Sequence, residues 1–357
     1  MKQIDIKEFL LLAGQYPVLD VRSPGEYMHA HIPGAYNLPL FSDEERKVVG
    51  TAYKQEGREQ AIKRGLDYFG VKMRKMVEEV EEITLKIKNE KLKSPSSEIA
   101  TENKNIVLIH CWRGGMRSAG VAWLLDLYGF EVYVLIGGYK SFRNWVLGRF
   151  EQKYTIKLLG GYTGSGKTEI LKQLSKEQEL VIDLEGIAHH KGSAFGALGQ
   201  PEQPTQEMFE NELGLQLHDA NSNVSEHGFI WLEDESSRIG SVNLPPAFWK
   251  TMQGASVVFL DIPFEERLNY IVEEYGKFEK KELINSIIRI RKRLGGQRTK
   301  DAISYILDGD IKEGMKILLS YYDKYYARGL EENKGLITMV ACERVDVTNT
   351  RKLTGKK

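Results

Sequence analysis

Cysteine is scarce in this chain: Cys111 and Cys342 are the two thiols in 357 residues. So few exclude a disulfide framework and suit a reducing compartment, so a cytoplasmic location is expected. Long hydrophobic runs are also missing, and none approaches the ~18 residues that a membrane span requires. The opening stretch MKQIDIKEFLLLAGQYPVLDV has few positive charges, and Gly14, Gln15 and Pro17 break up its short apolar segment. It reads as an amphipathic helix leading into a strand, not as a signal peptide. Net charge is absent as well, since 50 Lys plus Arg balance 50 Asp plus Glu. Any nucleic-acid contact must therefore come from a local basic patch and not from the overall field. The chain has no internal repeat and no extended low-complexity segment.

What is present suits a globular protein with real cores: 41% hydrophobic and 28% charged residues. The length predicts two domains, and the composition places their boundary near Gln152 to Tyr154. In the first (1–152), Val18–Val21, Ile106–Ile109 and Val132–Ile136 read as buried strands. Between the first two lies a charged, helix-forming insert from Ser42 to about Lys93, followed by a polar loop from Ser94 to Asn103. The second (153–357) alternates in the α/β manner. Its predicted strands are Ile156–Leu159, Leu180–Asp183, Phe229–Leu232, Val257–Asp261 and Leu336–Val340. Helices are predicted over 280–294, 299–307 and 311–326, and a basic tail follows the last strand.

Two glycine loops carry the chemistry. The first, His110-Cys111-Trp112-Arg113-Gly114-Gly115-Met116-Arg117-Ser118, follows a strand and opens a helix. A free cysteine with pKa ~8.5 is mostly protonated at neutral pH, whereas the thiolate is the nucleophile. Loop amides, a helix N-terminus and the guanidinium groups of Arg113 and Arg117 would all favour the charged form and would hold an oxyanion beside it. The second loop is Gly161-Tyr162-Thr163-Gly164-Ser165-Gly166-Lys167-Thr168, the GxxxxGK[ST] pattern between a strand and a helix. Its glycines let N–H groups face a diphosphate, Lys167 neutralises charge, and Thr168 ligates any Mg²⁺ that accompanies the phosphates.

Other candidates are weaker. Glu233 and Asp234 end a strand where acidic partners of such a loop stand. Asp183 and Lys191 flank His189-His190, which lack a nearby Cys or spaced His and so make no metal site. From Lys277 to Lys300 there are nine basic residues against two acidic ones. Arg289, Lys292, Arg293 and Arg298 could face RNA, with Tyr321, Tyr322, Tyr325 and Tyr326 as stacking rings or as core. Cys342, at an apolar strand end, is read as structural.

The segments LDVRSPGEYMHAHIPGAYNLPL and IHCWRGGMRSAGVAWLLDLYGFEVYVLIGGY resemble a rhodanese domain over residues 1 to about 150. Arg117 lies six residues after Cys111, which makes a roomier loop than in many sulfurtransferases and one nearer to the rhodanese-like phosphatases. The insert is larger than a minimal rhodanese needs. Adding GTAYKQEGREQAIKRGL, GGYTGSGKT, DLEGIAHHKGSAFG, WLEDESSRIG and RLGGQR, the whole chain resembles the bacterial tRNA 2-selenouridine synthases. It departs from them at Lys191, where arginine is expected, and at Gly295 or Gly296.

The resemblance implies an α/β fold: a rhodanese-like domain, then a P-loop NTPase-like parallel-sheet domain with a helical C-terminal part. It implies a transferase acting on the wobble uridine of tRNAs for Lys, Glu and Gln. Geranyl diphosphate alkylates the 2-thio group, then selenium from selenophosphate replaces the S-geranyl group, with Cys111 carrying or delivering the selenium. Neither membrane nor DNA is an expected partner, while the enzyme that supplies selenophosphate is. A P-loop small-molecule kinase with a regulatory rhodanese domain is the alternative, and a non-catalytic tRNA-binding module is a further one.

Overall fold

A computed structural model describes residues 1–92, 105–224, 228–332 and 336–355, without the side chains of 90–92 and 325–332. The polar loop expected over 94–103 lies outside the described residues. The chain divides into two compact units, Met1–Gly148 and Arg149–Lys357. The division falls a few residues before the boundary expected at Gln152. Phe150 and Tyr154 explain the difference, since both rings pack against Phe248 of the second unit.

The first unit has strands β1 (Lys2–Ile4), β2 (Val18–Asp20), β3 (Tyr36–Asn37), β4 (Ile106–His110) and β5 (Glu131–Leu135). They form one parallel sheet in the order β1-β5-β4-β2-β3. The central strands are buried, as a parallel sheet covered on both faces requires. Helices α1 (Ile6–Ala13) and α2 (Pro24–His29) come first, α2 starting at a Ser23–Glu26 capping box with Pro24 in its first turn. The insert is three helices, α3 (Asp43–Gln55), α4 (Arg58–Gly70) and α5 (Met73–Leu92). Their apolar positions Phe69, Met76, Val77 and Val80 join the core of β2, β4 and β5. Helix α6 (Met116–Tyr128) follows the cysteine loop, and α7 (Gly138–Arg149) closes the unit. Sequence periodicity missed β1 and β3, which are too short to show it.

The second unit begins with β6 (Ile156–Gly161), the lysine loop and α8 (Lys167–Lys176), then β7 (Val181–Ile182), α9 (Leu184–Ala188), α10 (Gln206–Asn223) and β8 (Ile230–Glu233). A hairpin of β9 (Arg238–Ile239) and β10 (Val242–Asn243) leads to α11 (Pro246–Gln253), β11 (Ser256–Asp261) and α12 (Phe264–Tyr275). Then come α13 (Lys280–Arg289), α14 (Arg291–Leu294), α15 (Gly296–Asp308), α16 (Ile311–Glu332), β12 (Ile337–Ala341) and α17 (Thr350–Thr354). The sheet runs β12-β11-β6-β8-β7, all parallel. Strand order reverses beside β6, so the crevice at the carboxyl ends of β6 and β8 is where a ligand belongs in such a sheet. No helix among the described residues is long and apolar enough to cross a membrane.

Two expectations need correction. The basic helix expected over 280–294 breaks at Ile290, which ends α13 and starts α14. The basic tail is instead a short 3₁₀ turn and α17, because Val345 and Leu353 pack on the sheet core and Thr350 hydrogen-bonds Glu177 at the end of α8. Helices α12, α13, α15 and α16 share a separate apolar core around Leu268, Leu283, Ile287, Ala302, Ile306 and Leu318.

This helical part is tied to the lysine loop by one buried cation. Arg267 donates to the carbonyls of Ile262 (3.0 Å) and Thr163 (3.1 Å) and makes a two-pronged pair with Asp323 (2.9 and 2.7 Å). Removing one partner of a buried pair leaves an uncompensated charge. Asp323→Ala is therefore expected to destabilise the protein by about 3 kcal/mol in denaturant unfolding; a loss within the error of the fit would show that the pair is dispensable.

Candidate functional site

Cys111 stands at the carboxyl end of β4 with its side chain buried. Its Sγ lies 3.2 Å from Ser118 Oγ and accepts the Gly115 N–H at 3.3 Å. Burial pushes the thiol pKa up, but the Ser118 hydroxyl and the N–H groups of Ser118, Arg113 and Gly115 outweigh it. The thiol is held below its ordinary value. The loop is shaped by backbone packing: Tyr139 N–H donates to Cys111 O (2.8 Å) and Lys140 N–H to Trp112 O (3.0 Å). A Cβ on Gly138 would sit 2.3 Å from Cys111 O, and Gly138 has φ +59°, so glycine is required there on both counts.

Sequence reasoning assigned the arginines differently from the structure. Arg113 contributes through its backbone N–H, while its side chain is exposed. The Arg117 guanidinium is not among the chief groups that favour the thiolate. It pairs with Glu26 (2.7 Å), which also accepts from Arg46 of the insert (2.8 Å) and from Ser23 N–H (3.1 Å). Burial opposes ionisation of Glu26, yet these donors, Arg117 foremost, bring its pKa down to about 2. Ser118 and Glu26 were absent from the expected site, although the Ser118 hydroxyl one turn into a helix at the end of a cysteine loop was a usable signal.

Beneath the loop, Asp20 and Arg22 form a fully buried pair at 2.6 Å. The Arg22 guanidinium stacks 3.8 Å from the Tyr139 ring centroid, which braces the segment that holds the loop.

The lysine loop in the second unit turns at Gly164 and Gly166, both with positive φ. A side chain on Gly164 would strike Ile271 and Arg267 O. Ser165 Oγ is buried without a hydrogen-bond partner among the described residues. Lys167 Nζ donates to Gly161 O (3.2 Å), and Thr168 Oγ1 donates to Glu185 Oε2 (2.9 Å).

Five acidic residues gather here. Asp183 caps α9 by accepting Gly186 N–H. Glu233 is buried, accepts Leu184 N–H (2.9 Å) and is pushed well above the usual carboxyl range, by burial first and by Asp183 and Glu185 next. Burial also raises Asp234, against the pull of Lys167. Burial and the Glu185 carboxylate raise Glu235. Burial thus opposes ionisation of these three carboxyls, which lessens their repulsion of an incoming anion beside Lys167. Glu185, which sequence reasoning left out, thus belongs with Glu233, Asp234 and Glu235 of the expected acidic strand end. No group of three His, Cys, Asp or Glu among the described residues is arranged to hold a metal ion.

Lys191 is engaged by Glu274. Arg289, Arg291, Lys292, Arg293, Arg298 and Lys300 are exposed, and none is in an ion pair among the described residues. Tyr321 packs on the helical core, and Tyr322 Oη accepts Ala194 N–H (3.3 Å). The side chains of Tyr325 and Tyr326 lie outside the described residues. Cys342 is buried, its N–H donates to Asp261 O (2.9 Å), and burial raises its thiol.

The family model described as "tRNA 2-selenouridine synthase AAA domain" matches residues 154–353, and a rhodanese-like domain model matches 5–144. The chain belongs to the tRNA 2-selenouridine synthase family. A protein of that name from Hydrogenovibrio crunogenus is 37% identical over 304 residues, 79% of this chain and 77% of the relative. One from Sulfurovum sp. is 34% identical over 353 residues, 90% of each chain. Another from Pseudomonas savastanoi is 34% identical over 374 residues, 94% of each. Membership of this family spans both loops, since each lies within a matched region.

Ser118→Ala should shift the pH profile of Cys111 alkylation to higher pH, because the thiolate loses its side-chain donor. An unshifted profile, followed by peptide mass spectrometry, would assign the lowered pKa to the backbone amides alone.

Proposed function

We propose that this chain converts 2-thiouridine to 2-selenouridine at the wobble position of tRNAs for Lys, Glu and Gln. The observation that supports this reading is a thiol whose charged form is favoured at the carboxyl end of one sheet, in the same chain as a lysine-and-amide loop at the carboxyl end of another. In the first step the 2-thio sulfur bonds to C1 of geranyl diphosphate, the C–O bond breaks, and the uracil N3 proton passes to solvent. Lys167 and the loop amides stabilise the departing diphosphate as its charge develops. Thr168 and Glu185 would hold a Mg²⁺ that accompanies the diphosphate, where it would neutralise charge.

In the second step selenium from selenophosphate bonds to C2 and the geranyl thiol leaves, while water takes the phosphate. Alkylation has by then turned a poor sulfur leaving group into a good one. Cys111 handles selenium in this step. The exposed basic surface of α13, α14 and α15 tracks the tRNA backbone in this reading.

The two loops should separate by mutation. In nucleoside mass spectrometry, Cys111→Ala should accumulate S-geranyl-2-thiouridine and make no selenouridine, whereas Lys167→Ala should slow geranylation itself. A Cys111→Ala protein that loses both steps while folded would end this division of labour. Tight ATP binding with γ-phosphate transfer would favour a kinase instead.

Neutralising Arg289, Lys292 and Arg293 together should weaken tRNA binding and lower its salt slope by about 0.7–0.9 per lost phosphate contact. Geranyl diphosphate affinity should stay constant. Unchanged tRNA affinity would return these helices to an ordinary solvated surface.

A further inference from the structure

We propose that Arg46, carried on α3 of the insert, joins Arg117 as the second guanidinium of an oxyanion site beside Cys111. The site takes the tetrahedral phosphate group of selenophosphate. This inference rests on the reading of the first unit as the one that uses selenophosphate.

The geometry is set by one oxygen. Glu26 Oε2 lies 2.7 Å from Arg117 Nη1 and 2.8 Å from Arg46 Nε, so a single carboxylate oxygen separates two guanidinium groups. Glu26 compensates one of the two charges and leaves a net positive pair. Two like charges this close repel, and a second anion relieves that repulsion. The network starts at the cysteine loop, because Arg117 lies in the chain between Gly115 and Ser118, both of which touch the sulfur.

The site is also reachable. The Arg46 side chain is 50% exposed and that of Arg117 is 23% exposed. Planar guanidinium forks match the oxygens of a phosphate group. In the acidic first turn of α3, Glu45 is offset by Lys72; Asp43 and Glu44 accept from uncharged donors and keep their charge. Asp43 accepts Gly25 N–H (3.0 Å), Glu44 accepts the Ser42 hydroxyl (3.0 Å), and Glu45 accepts Ser42 N–H (2.8 Å) and pairs with Lys72. The insert thereby gains a role: it brings a second cation to a loop whose own helix, α6, supplies the first, Arg117.

The test is protection of Cys111 from iodoacetamide in the full-length protein, read by peptide mass spectrometry so that Cys342 and the lysine loop do not contribute. Inorganic phosphate and selenophosphate are the probes, and the half-protecting concentration is the readout. Arg46→Gln should raise that concentration about tenfold or more, as expected for loss of a charge-assisted contact. Arg46→Lys, which keeps the charge without the fork, should fall between. Glu26→Gln keeps both arginines and removes the competing anion, so protection should match wild type or improve.

Unchanged protection in Arg46→Gln overturns the assignment. So does a loss in Glu26→Gln equal to that in Arg46→Gln, which would make the ion-pair network structural only. A wild-type protein that neither anion protects would overturn the selenophosphate reading of this unit, and the site with it.

Discussion

Both loops are built on the same physical arrangement: backbone N–H groups gathered where a strand ends and a helix begins, a setting that favours negative charge. Each stands at the carboxyl end of a strand in a five-stranded parallel sheet. The remainder of each unit keeps those N–H groups pointed. In the first, Gly138 lets one backbone press against another at Cys111, and Arg22 braces Tyr139 from below. In the second, Arg267 grips the loop carbonyl of Thr163 and anchors it to α16 through Asp323.

The surrounding charges are tuned in opposite ways. Around Cys111 a deeply ionised carboxylate, Glu26, gathers arginines at the rim. Around Lys167 burial raises the carboxyls of Glu233, Asp234 and Glu235, which weakens their opposition to the lysine charge. One site gathers cations around an anion, and the other sets a cation among carboxyls whose ionisation burial opposes. Both outcomes follow from how much water each carboxyl keeps.

Much of this was legible in the sequence. The long buried strands, both glycine loops and the helical insert carry strong local signals, because apolar runs and glycine spacing are set by neighbours along the chain. What stayed hidden depends on distant residues. That Arg117 turns to Glu26 and not to the sulfur is decided by a pairing across 91 positions. Glu185 reaches Thr168 only because β7 and β6 flank β8 in the sheet. The break at Ile290 sits in a strongly helix-forming, basic stretch, where local preference gives no warning. The two-residue strands are too short for any periodicity.

The position of β12 bears on how the protein is made. All five strands of the first sheet are complete by Leu135, so that unit can assemble while the rest of the chain is still being synthesised. The second sheet starts at Ile156 but receives its edge strand from Ile337–Ala341, and Val345 packs where a side chain on Gly166 would sit. Until those residues leave the ribosome, β11 presents an unpaired apolar edge to its surroundings. The first unit therefore emerges as a finished body, whereas the second keeps an open, aggregation-prone sheet edge until β12 docks.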